Sequence, residues 1–310
     1  MYTNLQLQLD NAKKEIDNHP NWMYCVKNQF EYEKISNFDS KKRASRAFYK
    51  IMELFRKWKL INTDCRKALC LCEAPGGFIQ AIKEVNSNIN VFGQSLPEGI
   101  KFNNKISQDL YEYSDLSKLE TIIKYGKQAK LEGKYDLITA DGGVDVSDDY
   151  SQQEQRNLRI IYCQILTMLY CLKNGGNFVI KIFDCFTDET IKLLQLLAFS
   201  FDNFEVAKPV LSRPCNSEKY VICLGFKGYT KPITGFSSQL NSEDIKFNGI
   251  TISPSFYSQI LIMNNKFVSQ QIRSIKEILD ICRGKYNSKN INSKRNQLSK
   301  SLSMFKSLKL

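Results

Sequence analysis

Apolar positions along this chain alternate between two spacings. Phe48, Ile51, Met52 and Phe55 recur at the three-and-four interval of a helix. Residues 68–72, Ala-Leu-Cys-Leu-Cys, form a short unbroken apolar run. Glu73-Ala74-Pro75-Gly76-Gly77 stops that run, and helical spacing returns from Phe78 to Val85. The unit reads strand, glycine turn, helix. The alternation continues with a strand at 90–95, a helix at 116–130, a strand at 135–140, a helix at 154–172, a strand at 177–182 and a helix at 190–199. Asn174-Gly175-Gly176 is expected to end the fourth of these helices. Strands at 204–207 and 219–226 follow with no helix between them. This pattern predicts an α/β fold: a mostly parallel sheet, helices on both faces and an antiparallel last strand.

Composition shifts at both ends suggest three regions. Residues 1–40 are polar with a Trp22-Met23-Tyr24 cluster and read as a helical N-terminal extension. Residues 41–230 carry the alternating pattern. Residues 231–310 read as a C-terminal extension, helical at 256–282. From Cys282 to Leu310 there are eight Lys or Arg and no acid, which is either a flexible basic tail or a basic amphipathic helix.

Charge and rare residues narrow the chemistry. Lys and Arg outnumber Asp and Glu by 44 to 32, a net +12, which favours a polyanionic partner with nucleic acid first. His19 is the single histidine, so histidine triads and multi-histidine metal sites are excluded, and no metal is expected. No apolar run has the roughly 18 to 20 residues of a membrane span, and no membrane partner is expected. The ten cysteines contain no C-x-x-C pair and read as buried free thiols of an intracellular, reducing compartment.

In an open α/β sheet, ligands sit beyond the carboxyl ends of the strands. Four groups stand there: the Glu73–Phe78 turn, Asp141 after the 135–140 strand, Lys181 near the end of the 177–182 strand, and Glu218 at the start of the antiparallel strand. A glycine turn, a strand-ending Asp or an edge Glu is common by itself. A lysine inside Phe-Val-Ile-Lys-Ile-Phe-Asp, in a strand buried on both faces, is not.

Taken in order, Ser45-Arg46-Ala47-Phe48-Tyr49-Lys50, Cys72-Glu73-Ala74-Pro75-Gly76-Gly77-Phe78, Ala140-Asp141-Gly142-Gly143, Gly175-Gly176-Asn177-Phe178-Val179-Ile180-Lys181 and Ser212-Arg213-Pro214-Cys215-Asn216-Ser217-Glu218-Lys219-Tyr220 resemble the FtsJ-like ribose 2'-O-methyltransferases. The Ser-Arg-Pro-x-Asn-Ser-Glu segment is most similar to the mRNA cap branch, and the Glu-Ala-Pro-Gly-Gly-Phe and Ala-Asp-Gly-Gly-x-Asp segments to versions in large DNA viruses. The resemblance covers residues 41 to 228. It implies a Rossmann-like methyltransferase fold with a seven-stranded sheet and S-adenosylmethionine as cofactor. It implies a catalytic tetrad of Lys50, Asp141, Lys181 and Glu218. Cofactor contacts would come from Glu73, Ala74, Pro75, Gly76, Gly77, Phe78 and Asp141, with Asp109 on the adenine side. The acid that the family often places just after the second strand has Glu98 as its nearest counterpart here. The viral likeness implies a cytoplasmic setting, a viral factory or a virion, rather than the nucleus.

The implied reaction moves a methyl group to a ribose 2'-hydroxyl of capped mRNA. Lys181 is the expected general base, with the carboxylates orienting the two amines and Lys50 holding ribose or phosphate. A lysine titrates near ~10.4, so a base useful near neutrality needs a depression of about two units or more. Lys41, Lys42, Arg43, Arg46 and Arg213 are the expected RNA contacts. A ribosomal or transfer RNA substrate and an inactive RNA-binding module of the same fold remain alternatives. A nucleotide-binding dehydrogenase is disfavoured, because the turn reads A-P-G-G-F in place of G-x-G-x-x-G. A protein partner is compatible with the pattern and unspecified by it.

Overall fold

A computed structural model describes residues 4–29, 39–146, 149–228, 240, 245–247, 249–285 and 288–308. Seven strands form one sheet: β1 (Lys67–Leu71), β2 (Asn90–Ser95), β3 (Tyr111–Tyr113), β4 (Tyr135–Ala140), β5 (Leu172–Ile182), β6 (Phe201–Ala207) and β7 (Lys219–Phe226). Their order is β3-β2-β1-β4-β5-β7-β6. The first five run parallel, β7 is antiparallel to β5, and β6 is antiparallel to β7. The strand order reverses between β1 and β4, which opens a crevice beyond their carboxyl ends.

Helices cover both faces. On one side lie α3 (Ala47–Trp58) and α4 (Gly77–Val85); on the other lie α5 (Leu119–Glu132), α6 (Gln153–Cys171) and α7 (Asp188–Ser200). The central strands are buried along nearly their whole length, as doubly covered parallel strands must be. Local signals set the helix ends. Thr187 caps α7 by accepting from the Thr190 N–H, with Asp188 and Glu189 in the first turn. The 29-residue helix α8 (Pro254–Cys282) begins with Ser253 as cap and proline in its first turn.

The extensions are part of the same packed body. The N-terminal helices α1 (Asn4–Ile16) and α2 (Trp22–Gln29) pack on α8. Leu9, Val26, Ile275 and Ile278 are buried in the same cluster as α3 and α4. The basic tail is helical, α9 (Ser288–Ser307), and its Phe305 ring meets Tyr49 of α3 edge-on. Residues 30–38 and 229–239, which belong to the expected extensions and their junctions, lie outside the described residues.

Two details differ from the sequence expectation. β3 is only three residues long, too short for a period-2 signal, and the apolar pattern alone does not find it. Asn174-Gly175-Gly176 does not stop α6. It lies inside β5, where the pairing steps from Tyr135↔Leu172 to Leu137↔Asn177 and the intervening residues bulge out. Gly175 takes φ +78, and a Cβ on Gly176 would stand 3.0 Å from the Asp136 carbonyl, so glycine suits the bulge.

Candidate active site

The glycine turn is shaped from within. The buried Glu73 carboxylate turns back and accepts the Phe78 and Ile79 N–H groups at the start of α4. Burial and the nearby Asp141 charge push its pKa well above the ordinary value, against those two hydrogen bonds. Gly76 caps α4 at φ +107, a conformation that favours glycine. Gly77 serves packing: a Cβ there would stand 2.9 Å from the Phe48 backbone nitrogen, because α3 crosses α4 at that point. Gln94 then ties three strand ends together, accepting from Cys72 N–H and donating to the Ser114 carbonyl.

Four ionisable side chains from four elements meet on this rim. Lys50 comes from α3, Asp141 from the exit of β4, Lys181 from β5 and Glu218 from the approach to β7. Lys181 pairs with Tyr220 across the antiparallel ladder, and this places Glu218 at the same edge. Lys50 Nζ donates to both Glu218 oxygens at 2.6 and 2.9 Å. Lys181 Nζ donates to the Asp141 carbonyl at 2.6 Å and lies 3.2 Å from its carboxylate. The Tyr220 hydroxyl also donates to Asp141, and Ser212 Oγ to Glu218.

The electrostatics of the four differ from the expectation for Lys181. Burial alone pulls its pKa down, but Asp141 and Glu218 outweigh it, and the amine titrates above the ordinary lysine value. Burial pushes the other way for Glu218, yet Lys50 and Lys181 hold it well below the usual carboxylate range. The resting site is therefore two ion pairs, with Lys181 protonated at neutral pH.

Several supporting residues have no local sequence signature. Glu53, one turn beyond Lys50 on α3, accepts the Val210 and Leu211 N–H groups and anchors the loop that carries Glu218. Lys208 clamps the other side of that loop, donating to the Asn216 carbonyl and side chain at 2.7 Å and to the Glu218 carbonyl at 2.8 Å. Burial, together with the Lys219 charge, pulls Lys208 down to about 7, with Glu218 opposing. Beyond β5, buried Asp184 forms a 2.6 Å ion pair with Lys13 of α1, which also donates to the Tyr150 carbonyl. On α6, Gln164 and Asn157 accept the Gly142 and Val144 N–H groups after β4.

The sequence has relatives. A model of the FtsJ-like methyltransferase matches residues 43–226 of the 310. The chain belongs to the FtsJ-like methyltransferase family. It is 40% identical over 148 residues to a cap-specific mRNA (nucleoside-2'-O-)-methyltransferase 1 of Dictyostelium discoideum, covering 44% of this chain and 19% of that protein. It is 32% identical over 200 residues to the cap-specific mRNA (nucleoside-2'-O-)-methyltransferase of Autographa californica nuclear polyhedrosis virus, covering 58% of this chain and 72% of that one. A probable methyltransferase of African swine fever virus is 30% identical over 212 residues, covering 57% of this chain and 48% of that one. The chain thus spans about a fifth of the Dictyostelium relative and about half of the African swine fever virus one.

FtsJ-like cap methyltransferases take their methyl group from S-adenosylmethionine. The rim suits that group: the Glu73–Phe78 turn follows β1 and the Asp141 carboxylate follows the neighbouring β4, side by side at the carboxyl edge of the sheet. Asp109, the residue expected on the adenine side, lies in a short turn at the entry of β3. Asp109 precedes β3, whereas in a parallel sheet the ligand edge is the exit, and Asp115 follows that exit. Asp115 accepts the Ser117 N–H and hydroxyl, which holds its carboxylate in place. Glu98 is exposed on the loop after β2.

The basic cluster before α3 is dispersed by its partners. Arg43 lies over the Phe48 ring and is paired with Asp39 at 2.6 Å and Glu84 at 3.2 Å. Lys41 is paired with Glu84 at 2.7 Å, while Lys42 is exposed. Lys41, Lys42 and Arg43 line a shallow depression along α4, with Lys83 and Lys105. Arg213 lines a separate small pocket with Trp22 and Tyr150. No described helix is long and apolar enough to cross a membrane.

Proposed function

We propose that this chain methylates a ribose 2'-hydroxyl near the capped 5' end of mRNA. The observation that carries the reading is the convergence of Lys50, Asp141, Lys181 and Glu218 on the rim beyond β4 and β5. The cap branch is supported by the names of the relatives above, among them viral ones. The methyltransferase unit is residues 41–230, with the described parts of both extensions packed against it. Eight of the ten cysteines are buried and all are free, which suits a reducing compartment.

When bound, S-adenosylmethionine supplies an electrophilic methyl group on a positively charged sulfur. The chain's part is to deliver a nucleophile. Lys181 accepts the hydroxyl proton, and to do so it must first be neutral. Asp141 and Glu218 favour its ammonium form, whereas a cation brought beside it favours the amine. Asp141, held by Tyr220, aims Lys181; Glu218, held by Ser212, aims Lys50 at the sugar or its phosphate.

Labelled cofactor and capped RNA, followed by nuclease mapping of the labelled sugar, test the reading. Wild type labels a ribose near the cap; label on a base nitrogen refutes it. Lys181→Ala and Lys181→Arg keep cofactor binding by calorimetry and lose transfer. Near-normal turnover in either removes Lys181 as the base. Because its pKa is raised, the wild-type rate climbs with pH through neutrality, by up to about tenfold per unit.

A further inference from the structure

A groove of about 830 Å³ runs along the β6 edge of the sheet. Its floor is the end of β6 and the loop after it, and its walls are α8, α9 and Lys57 of α3. Both long helices lie outside residues 43–226, so this feature is added to the family core. Lys57, Lys266, Arg273 and Lys300 line it as exposed cations. Among the described residues, neither Arg273 nor Lys300 is held by an acid across the groove. Glu205 and Glu277 are the acids in the lining, and Glu205 already accepts from the Trp58 indole N–H at 2.7 Å. The α9 sequence carries five Lys or Arg and no acid.

Two further observations favour one occupant. Gln270, Asn292 and Asn296 supply paired donors and acceptors along the cations, the chemistry that unpaired base edges require. The groove also adjoins the reaction centre. Lys208 lines it and donates to the Glu218 carbonyl, and Ser212 lines it and donates to the Glu218 carboxylate. A strand with one ribose at the tetrad therefore has a cationic, amide-lined track beside it.

We propose that this groove holds single-stranded RNA 3' of the methylated nucleotide, so that the C-terminal helices favour long transcripts over isolated cap fragments. This rests on the RNA reading above and adds the place and the length dependence. The test is fluorescence anisotropy of the full chain with capped RNAs of about 4 and about 20 nucleotides, a span that exceeds a single short site. Wild type binds the long RNA more tightly. The double variant Arg273→Glu/Lys300→Glu lowers that long-over-short ratio about tenfold and reduces the salt slope by about 1.4, at ~0.7 per single-strand contact. Arg273→Gln/Lys300→Gln, which adds no repulsion, gives a smaller loss in the same direction. An unchanged ratio in both variants overturns the groove, as does a wild type with no length preference. Loss of binding to both lengths in wild type overturns the RNA reading itself. Polyglutamate that binds wild type as tightly as the long RNA overturns RNA in favour of an acidic protein.

Discussion

Replacing Lys13 by methionine tests how firmly the N-terminal helix is tied to the loop after β5. Lys13 Nζ sits 2.6 Å from Asp184 Oδ2, and both side chains are only 5% exposed. Breaking a buried ion pair from one side costs about 3–5 kcal/mol, because the remaining charge stays buried without its partner. Lys219 stands 3.9 Å from the other Asp184 oxygen and retains part of the compensation, so about 3 kcal/mol is expected at pH 7. The pH dependence has a definite sign. In wild type, Lys13 and Lys219 outweigh burial and hold Asp184 below its ordinary pKa. That contribution is complete above the unfolded value near ~3.9 and is lost only as pH falls through the lower folded value. In the variant, burial is less opposed and the folded pKa rises. The folded variant then takes up a proton more readily than the unfolded chain, and its deficit shrinks between about pH 7 and about pH 5. Urea unfolding at both pH values, followed by the fluorescence of Trp22 and Trp58, measures this. A cost below about 1 kcal/mol at pH 7, or a deficit that grows on acidification, refutes the argument.

Two other substitutions probe the scaffold of the site. Lys208→Met leaves the Asn216 and Glu218 carbonyls without their donor, at about 1 kcal/mol each, and lowers kcat about tenfold with cofactor affinity unchanged. Lys208→Arg recovers part of that loss, and steady-state kinetics showing wild-type kcat in the methionine variant would exclude the clamp. Gly76→Ala forces a side chain into φ +107 with its Cβ 2.7 Å from Ile106 Cγ1, costing at least ~1–2 kcal/mol. Calorimetry should show weaker cofactor binding together with a lower melting temperature; an unchanged affinity would detach the turn from the cofactor.

Local regularities in the chain determined the rim and the element order, β3 apart. Helical and strand periods, the Gly76-Gly77 turn and the missing helix before β7 were legible because each depends on neighbours a few residues apart. Lys50, Asp141, Lys181 and Glu218 could be singled out because three stand at strand ends that topology aligns, and the resemblance supplied the fourth. Tertiary structure alone decided what those groups experience. It set Lys181 above the ordinary lysine value, because the balance of burial against two carboxylates is a sum over distances in space. It set Arg43 over the Phe48 ring and between two acids, and placed Asp109 before and Asp115 after a strand too short to have a period. It joined Lys13 to Asp184 across 171 positions and set α8 beside α9 to form the groove. Those contacts have no period to read, since separation along the chain places no limit on proximity once the chain has folded.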